Sequence, residues 1–184
     1  MQNLIQQNPS VVAALGASQD AVSQALDDMS TMCDYIVLHF PQMEDGNNFG
    51  VTVQMTAIKQ IQDTTESLVK SLDELSKYYS ARADAMDKLF LGSQTATETQ
   101  KEENDGKETK TTVTKETKKS SGQQELHRLQ AVFAIDTQYY ALAKKAFRTV
   151  KSAYVANVDF LLKNQAKIEA PKGSEGGSNF SSMY

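Results

Sequence analysis

Few side chains in this sequence have the type and spacing that chemistry needs. The two histidines, His39 and His127, stand far apart. Neither is joined by Cys or carboxylates at metal-ligand spacing, so no metal site is read. Cys33 is the only cysteine. It falls on or beside the apolar stripe of its helix, where a packed thiol is the plainer reading and a nucleophile the sharper one. Asp73 and Glu74 are adjacent on a helix and point in different directions, so they read as solvated surface. No P-loop, Rossmann glycine pattern or nucleophile elbow is present. The expectation is a protein with no catalytic residues and no cofactor, and not an enzyme.

The most unusual string is Pro41-Gln42-Met43-Glu44-Asp45-Gly46-Asn47-Asn48-Phe49-Gly50. One reading is a turn between helices. Gly and Asn tolerate left-handed backbone, and Asp and Asn bond their own main chain. The other reading is a contact surface. The connection is longer than bundles usually need, and it presents a Phe and two acidic groups.

The elements around that string follow from the breakers. Asn8-Pro9 opens a helix, with Asn as N-cap and Pro where its missing N–H has no helical partner. Pro41 closes it. Leu15, Val22, Leu26, Met29, Met32/Cys33, Ile36 and Phe40 recur between them at helical spacing. Residues 51–91 form a second helix, with a heptad seam through Ile58, Ile61, Thr65, Leu68, Leu72, Leu75 and Tyr79. That phase continues through Arg82, Met86 and Leu89, and Gly92 is its stop. A third helix spans 123–170. One of its stripes is Leu126, Leu129, Phe133, Tyr140, Phe147, Val150, Tyr154 and Leu161. The other is Val132, Ile135, Tyr139, Leu142 and Ala146. Two stripes predict neighbours on two sides.

Between the last two helices, residues 92–122 hold eight Thr, six Lys and six acidic residues, with Ala96 and Val113 as the only apolar side chains. So little apolar surface predicts a disordered insert. Residues 171–184 form a flexible Gly/Ser tail. The fold class is therefore all-α, an up-and-down bundle of three long helices. With that topology the 41–50 loop and the tail share one end, and the insert lies at the other.

Composition bounds what such a bundle does. With 184 residues and 23% charged side chains, the chain reads as one domain with a real core. No apolar run is long enough for a membrane span, and no secretory signal is visible at the start. A lone Cys fits an intracellular setting, cytoplasm or nucleus, since the basic residues of the last helix form no compact import run. A net charge of −4 argues against nucleic acid as a partner. Residues 1–50 carry six acidic groups and no Lys or Arg. Residues 123–171 carry seven basic groups against four acidic. Two solvated faces explain this. So does an acidic element meeting a basic one, within the chain or between copies.

The 41–50 string, followed by Val51-Thr52-Val53-Gln54, resembles the activation loop of the 11S regulator (REG) family of proteasome activators. The likeness extends further. Residues 8–40 fit the family's second helix. Tyr78-Tyr79 with Arg82-Ala83 resembles the end of its third helix, nearest the gamma type. Ser152-Ala153-Tyr154 and Leu161-Leu162-Lys163-Asn164 resemble its last helix, and Met183-Tyr184 its aromatic C-terminus. The resemblance implies a ring of seven subunits, identical or mixed with a paralogue, on the α ring of the core (20S) proteasome. It implies docking through the tail (Ser182, Met183 and Tyr184) and gate opening by Gln42, Met43, Glu44, Asp45, Gly46, Asn47, Asn48, Phe49 and Gly50. That action raises peptide hydrolysis, without ATP and without proteolysis by the ring. Gln42 stands where the family has Arg, which removes a charge from the docking face, and Met43 stands for Ile. The family's first helix has no counterpart in residues 1–7, so an apolar groove is expected where it would pack. The 92–122 insert is long for the family and is expected at the end away from the proteasome. A coiled-coil or adaptor bundle with no proteasome role accounts for the helices equally well.

Overall fold

The computed structural model describes residues 6–42, 49–91, 95–105, 108–118 and 122–172. Helix α1 spans Pro9–Leu38, α2 Phe49–Ser76 and α3 Tyr78–Leu91. Strands β1 (Thr95–Asp105) and β2 (Glu108–Lys118) follow, and α4 runs from Gly122 to Glu169. The helical body is all-α, as expected. Two compact units are described by themselves, Met1–Val11 with Lys77–Tyr140, and Val12–Ser76 with Ala141–Tyr184.

The expected cap of α1 is in place. Asn8 Oδ1 accepts the Ser10 N–H at 3.0 Å, and the Asn8 carbonyl accepts the Val11 N–H at 3.0 Å. Buried positions on α1 are Val11, Leu15, Ser18, Val22, Ala25, Met29 and Ile36, alternating steps of four and three as far as Met29. Leu15, Val22, Met29 and Ile36 belong to the stripe read from the sequence. Leu26 and Phe40 are only half-buried.

The expected single helix over 51–91 is two helices, broken at Lys77. Hydroxyls on either side bond backward to carbonyls three residues earlier. Ser76 Oγ donates to the Asp73 carbonyl at 2.8 Å and Ser80 Oγ to the Lys77 carbonyl at 3.0 Å. Such back-bonding competes with the helical ladder and bends it. The buried seam is also rotated from the one expected. Ile61, Leu68, Leu75 and Arg82 are shared. The remaining buried positions are Gly50, Gln54, Ala57, Ser71, Tyr78 and Ala85, whereas Ile58, Thr65, Leu72 and Met86 are half-buried and Tyr79 is exposed. Apolar identity drew the sequence reading one residue off, because small and polar residues fill the true centre.

In the unit of Val12–Ser76 and Ala141–Tyr184, Asn157 of α4 ties three helices together. Its Nδ2 lies 3.4 Å from Met29 Sδ of α1 and 3.1 Å from Thr64 Oγ1 of α2, and donates to the Ala153 carbonyl at 2.9 Å. Tyr154 donates to Asp28 at 2.5 Å. In the unit of Met1–Val11 and Lys77–Tyr140, Tyr78, Ala85, Val132 and Tyr139 form the core, with the Tyr78 and Tyr139 rings edge-on at 5.3 Å. Beside them Arg82 Nε donates to Asp136 Oδ1 at 3.1 Å, and Tyr78 OH donates to the same oxygen at 2.8 Å.

The predicted disorder over 92–122 gives way to an antiparallel ladder pairing Thr95 with Lys118 through Asp105 with Glu108. Alternating Thr favours extended backbone. Glu98 falls opposite Lys115, and Glu103 opposite Lys110. Backbone pairing of this kind leaves no mark in an apolar count, which is why that count misses it.

Of the two α4 stripes, one is packed. Val132, Tyr139 and Ala146 are buried. Leu126, Phe133, Tyr140 and Phe147, seven residues apart, stay 38–52% exposed.

Candidate functional site: the loop edges and the tail root

Of the residues singled out in the sequence, Gln42, Phe49 and Gly50 are described. Met43, Glu44, Asp45, Gly46, Asn47 and Asn48 lie outside the described residues, as do Ser182, Met183 and Tyr184. The described residues place the two edges of the loop against the root of the tail.

Helix ends leave carbonyls without intrahelical partners. At the end of α1, His39 Nδ1–H reaches the Tyr35 carbonyl at 2.8 Å, and Pro41 turns the chain away. The Gln42 carbonyl then accepts a hydrogen bond from Lys172 Nζ at 2.7 Å. On the far edge α2 begins at Phe49, not at Val51 as expected. The Phe49 ring is exposed and carries the Lys167 ammonium 4.7 Å from its centroid. At exposed sites that contact stabilises by about 0.5–1 kcal/mol.

Gly50 has a role the sequence reading did not assign. It lies in the first turn of α2 and is buried. A Cβ there would fall on the carbonyl oxygen and Cα of Pro171, and 2.6 Å from the Pro171 carbonyl carbon. Only glycine permits this approach of two main chains.

One turn further on, Gln54 is fully buried. Its Nε2 donates to the His39 carbonyl at 2.8 Å and to the Ile168 carbonyl at 2.7 Å. A carboxamide has two N–H donors, and both are used. Among the described residues Gln54 Oε1, which is buried, meets no hydrogen-bond donor. A further link joins α1 to the end of α4, where Tyr35 OH donates to Glu169 Oε1 at 2.7 Å. Hydrogen bonds from Gln165 first, and then from Tyr35, hold the Glu169 carboxyl below its ordinary value.

This arrangement is suited to fixing geometry, not to bond chemistry. Among the described residues no group of three or more His, Cys, Asp or Glu could hold a metal. Among them, too, no helix is long and apolar enough to cross a membrane. Cys33 is half-buried, and burial pushes its thiol up, away from a reactive thiolate.

Sequence reading named neither Gln54 as a site residue nor Lys167, Lys172, Tyr35 or Glu169. A signal for Gln54 existed. It stands seven residues before Ile61, in phase with Leu68 and Leu75, as a polar group at a core position.

Residues 4–108, more than half of the chain, match the family described as "Proteasome activator PA28, C-terminal". The chain belongs to the PA28 proteasome activator family. Proteins named "Proteasome activator complex subunit 3" from Homo sapiens, Mus musculus and Gallus gallus are each 22% identical over 171 residues. The match covers 93% of this chain and 56% of each relative, so the chain spans little more than half their length. Among solved structures, the 11S subunit of the Plasmodium falciparum proteasome, PA28, superposes with a TM-score of 0.66 at 22% identity. That likeness covers 91% of this chain and 64% of the Plasmodium chain, and it is one of fold. The 11S (PA28) resemblance of the sequence is thereby borne out.

Proposed function

We propose that this PA28-family chain is a subunit of a ring that docks on the core (20S) proteasome and opens its α-ring gate without ATP. It is a binding and allosteric protein, not a catalyst. Ser182–Tyr184 dock between α subunits, and residues 42–50 press on the gate. The observation that carries this reading is the junction just described. A docking tail and a gate-opening loop must act on one face of the proteasome, and the loop edges meet the tail root through Gly50, Gln54 and Lys172.

Ring assembly has its own support. Leu126, Phe133, Tyr140 and Phe147 offer an unburied apolar row. Asp20, Asp27 and Asp34 of α1 make no ion pair among the described residues. Both features fit a heterologous contact in which acidic α1 of one copy meets basic α4 of the next. Seven tethered tails would then bind far more tightly than one, through effective concentration.

Hydrolysis of short fluorogenic peptides by the core proteasome tests the reading. Saturating chain should raise hydrolysis, Asn47→Tyr should abolish the rise while docking persists, and removing Ser182–Tyr184 should abolish docking. Native mass should show a seven-fold ring whose stability weakens with salt. No stimulation, together with a dimer or trimer, would instead mark a structural helical bundle.

A further inference from the structure

We propose that Gln54 is a positioning residue that couples the tail to the loop, so that tension on a docked tail is delivered to residues 42–50. The inference rests on the proposed function and adds how its two working parts communicate.

Three observations carry it. The first is where the Gln54 donors go. His39 lies just beyond α1, on the chain entering the loop, and Ile168 lies in the last turn of α4, on the chain leaving for the tail. Both carbonyls belong to helix ends that lack intrahelical partners. One carboxamide therefore holds the entry of the loop and the exit to the tail at a single point, 2.8 Å and 2.7 Å away.

The second observation is the surrounding set of links, each running from the tail root to a loop edge. Gly50 lets α2 touch the Pro171 main chain, Lys172 bonds the Gln42 carbonyl, and Lys167 covers Phe49. The loop is thus held on both its edges by residues 167–172. A pull along the tail reaches the loop edges most directly through the Gln54 hydrogen bonds and the Gly50–Pro171 main-chain contact, and more softly through the Lys172 and Lys167 side chains.

The third observation is that stability alone does not explain this residue. Both hydrogen bonds that Gln54 makes to the described residues are donated, and among those residues Oε1 meets no donor. An apolar side chain of similar volume at this position would continue the phase of Ile61, Leu68 and Leu75. What it could not do is hold two carbonyls from two chain segments. The two donors serve geometry.

The test separates docking from activation. The full chain and its variants are titrated against core proteasome with a short fluorogenic peptide. The concentration at half-saturation reports docking, and the plateau reports gate opening. Gln54→Met should keep half-saturation within about twofold of wild type and lower the plateau at least about fivefold, as loss of two internal hydrogen bonds would. Gln54→Glu, which even when protonated can donate to only one of the two carbonyls, should also lower the plateau. Equal plateaus would overturn the coupling, and so would a parallel loss of docking and plateau. If both variants lose helical signal or native mass, exposed Lys172→Met carries the test. A lowered plateau at unchanged half-saturation supports the coupling, and an unchanged plateau overturns it. A wild-type chain that never stimulates removes the functional reading and the coupling together. A stimulating wild type matched by its variants removes the coupling alone.

Discussion

Arg82 and Gln54 are both buried on the phase that carries Ile61, Leu68 and Leu75, a whole number of heptads apart. Their surroundings differ in kind. Arg82 sits in a closed ionic cluster. Its Nε meets Asp136 at 3.1 Å, its Nη2 donates to the Gln6 carbonyl at 3.1 Å, and Tyr78 OH completes the carboxylate at 2.8 Å. Gln54 is neutral and spends both donors on the ends of two other helices. A cluster whose charges compensate one another specifies how its own unit packs. A carboxamide that bridges two helix ends is explained by what it holds. The seam is thus used twice, once for architecture and once for positioning.

The largest expected effect lies in the ionic cluster. Arg82→Met strands a buried carboxylate and should destabilise by about 3–5 kcal/mol in urea unfolding. Adding Asp136→Leu should recover most of that loss, because a well-packed apolar pair replaces a buried ion pair at little net change. A loss below about 1 kcal/mol for the single variant would place Arg82 among surface pairs and dissolve the contrast.

Gly50→Ala comes next. A methyl group there must displace the Pro171 main chain, and overpacking of this kind costs about 1–3 kcal/mol. The same variant should lower the stimulation plateau, because the tail root moves away from α2. Wild-type unfolding and an unchanged plateau would show that the close approach positions nothing.

Alkaline titration sharpens the comparison with a smaller effect. Burial, and then the hydrogen bond to Asp136, push the Tyr78 phenol up to about 12 from an ordinary value near 10. The hydrogen bond to Asp28 pushes Tyr154 up to about 12 as well. Both phenols hold their protons more tightly when folded. Their stabilisation is therefore complete below about pH 10 and is lost as pH climbs toward 12. Tyr78→Phe and Tyr154→Phe should each flatten that alkaline fall, and each should remove one late-ionising phenol from an ultraviolet titration. Phenols that all ionise near pH 10 would contradict both hydrogen bonds.

Gly16→Ala is the smallest effect and serves as a control. A Cβ at Gly16 meets nothing within 4 Å, and the site is interior to α1. The change should stabilise by about 0.5–1 kcal/mol. Placed in the Gln54→Met background, it should restore resistance to urea without restoring the plateau. Recovery of both would make Gln54 a residue of stability only.

The sequence by itself determined the helical stretches, the Asn8 cap and the family resemblance of the 41–50 string. These rest on local signals: breakers, caps, apolar periodicity and a short motif read along the chain. It missed the break at Lys77, where hydroxyl back-bonding competes with the ladder, and the hairpin, whose pairing needs no apolar residues. It also set the seam beside its true centre, because Gln54, Ser71 and Arg82 carry no apolar signal. What only the tertiary structure decided is the junction. Gly50 reads as a turn residue until Pro171 is laid against it, and Gln54 reads as a polar interruption until the carbonyls of His39 and Ile168 reach it. Pro171 and Ile168 are distant in sequence, and no local rule of spacing brings a helix end to a residue more than a hundred positions away. Only packing supplies the partner that gives such a residue its purpose.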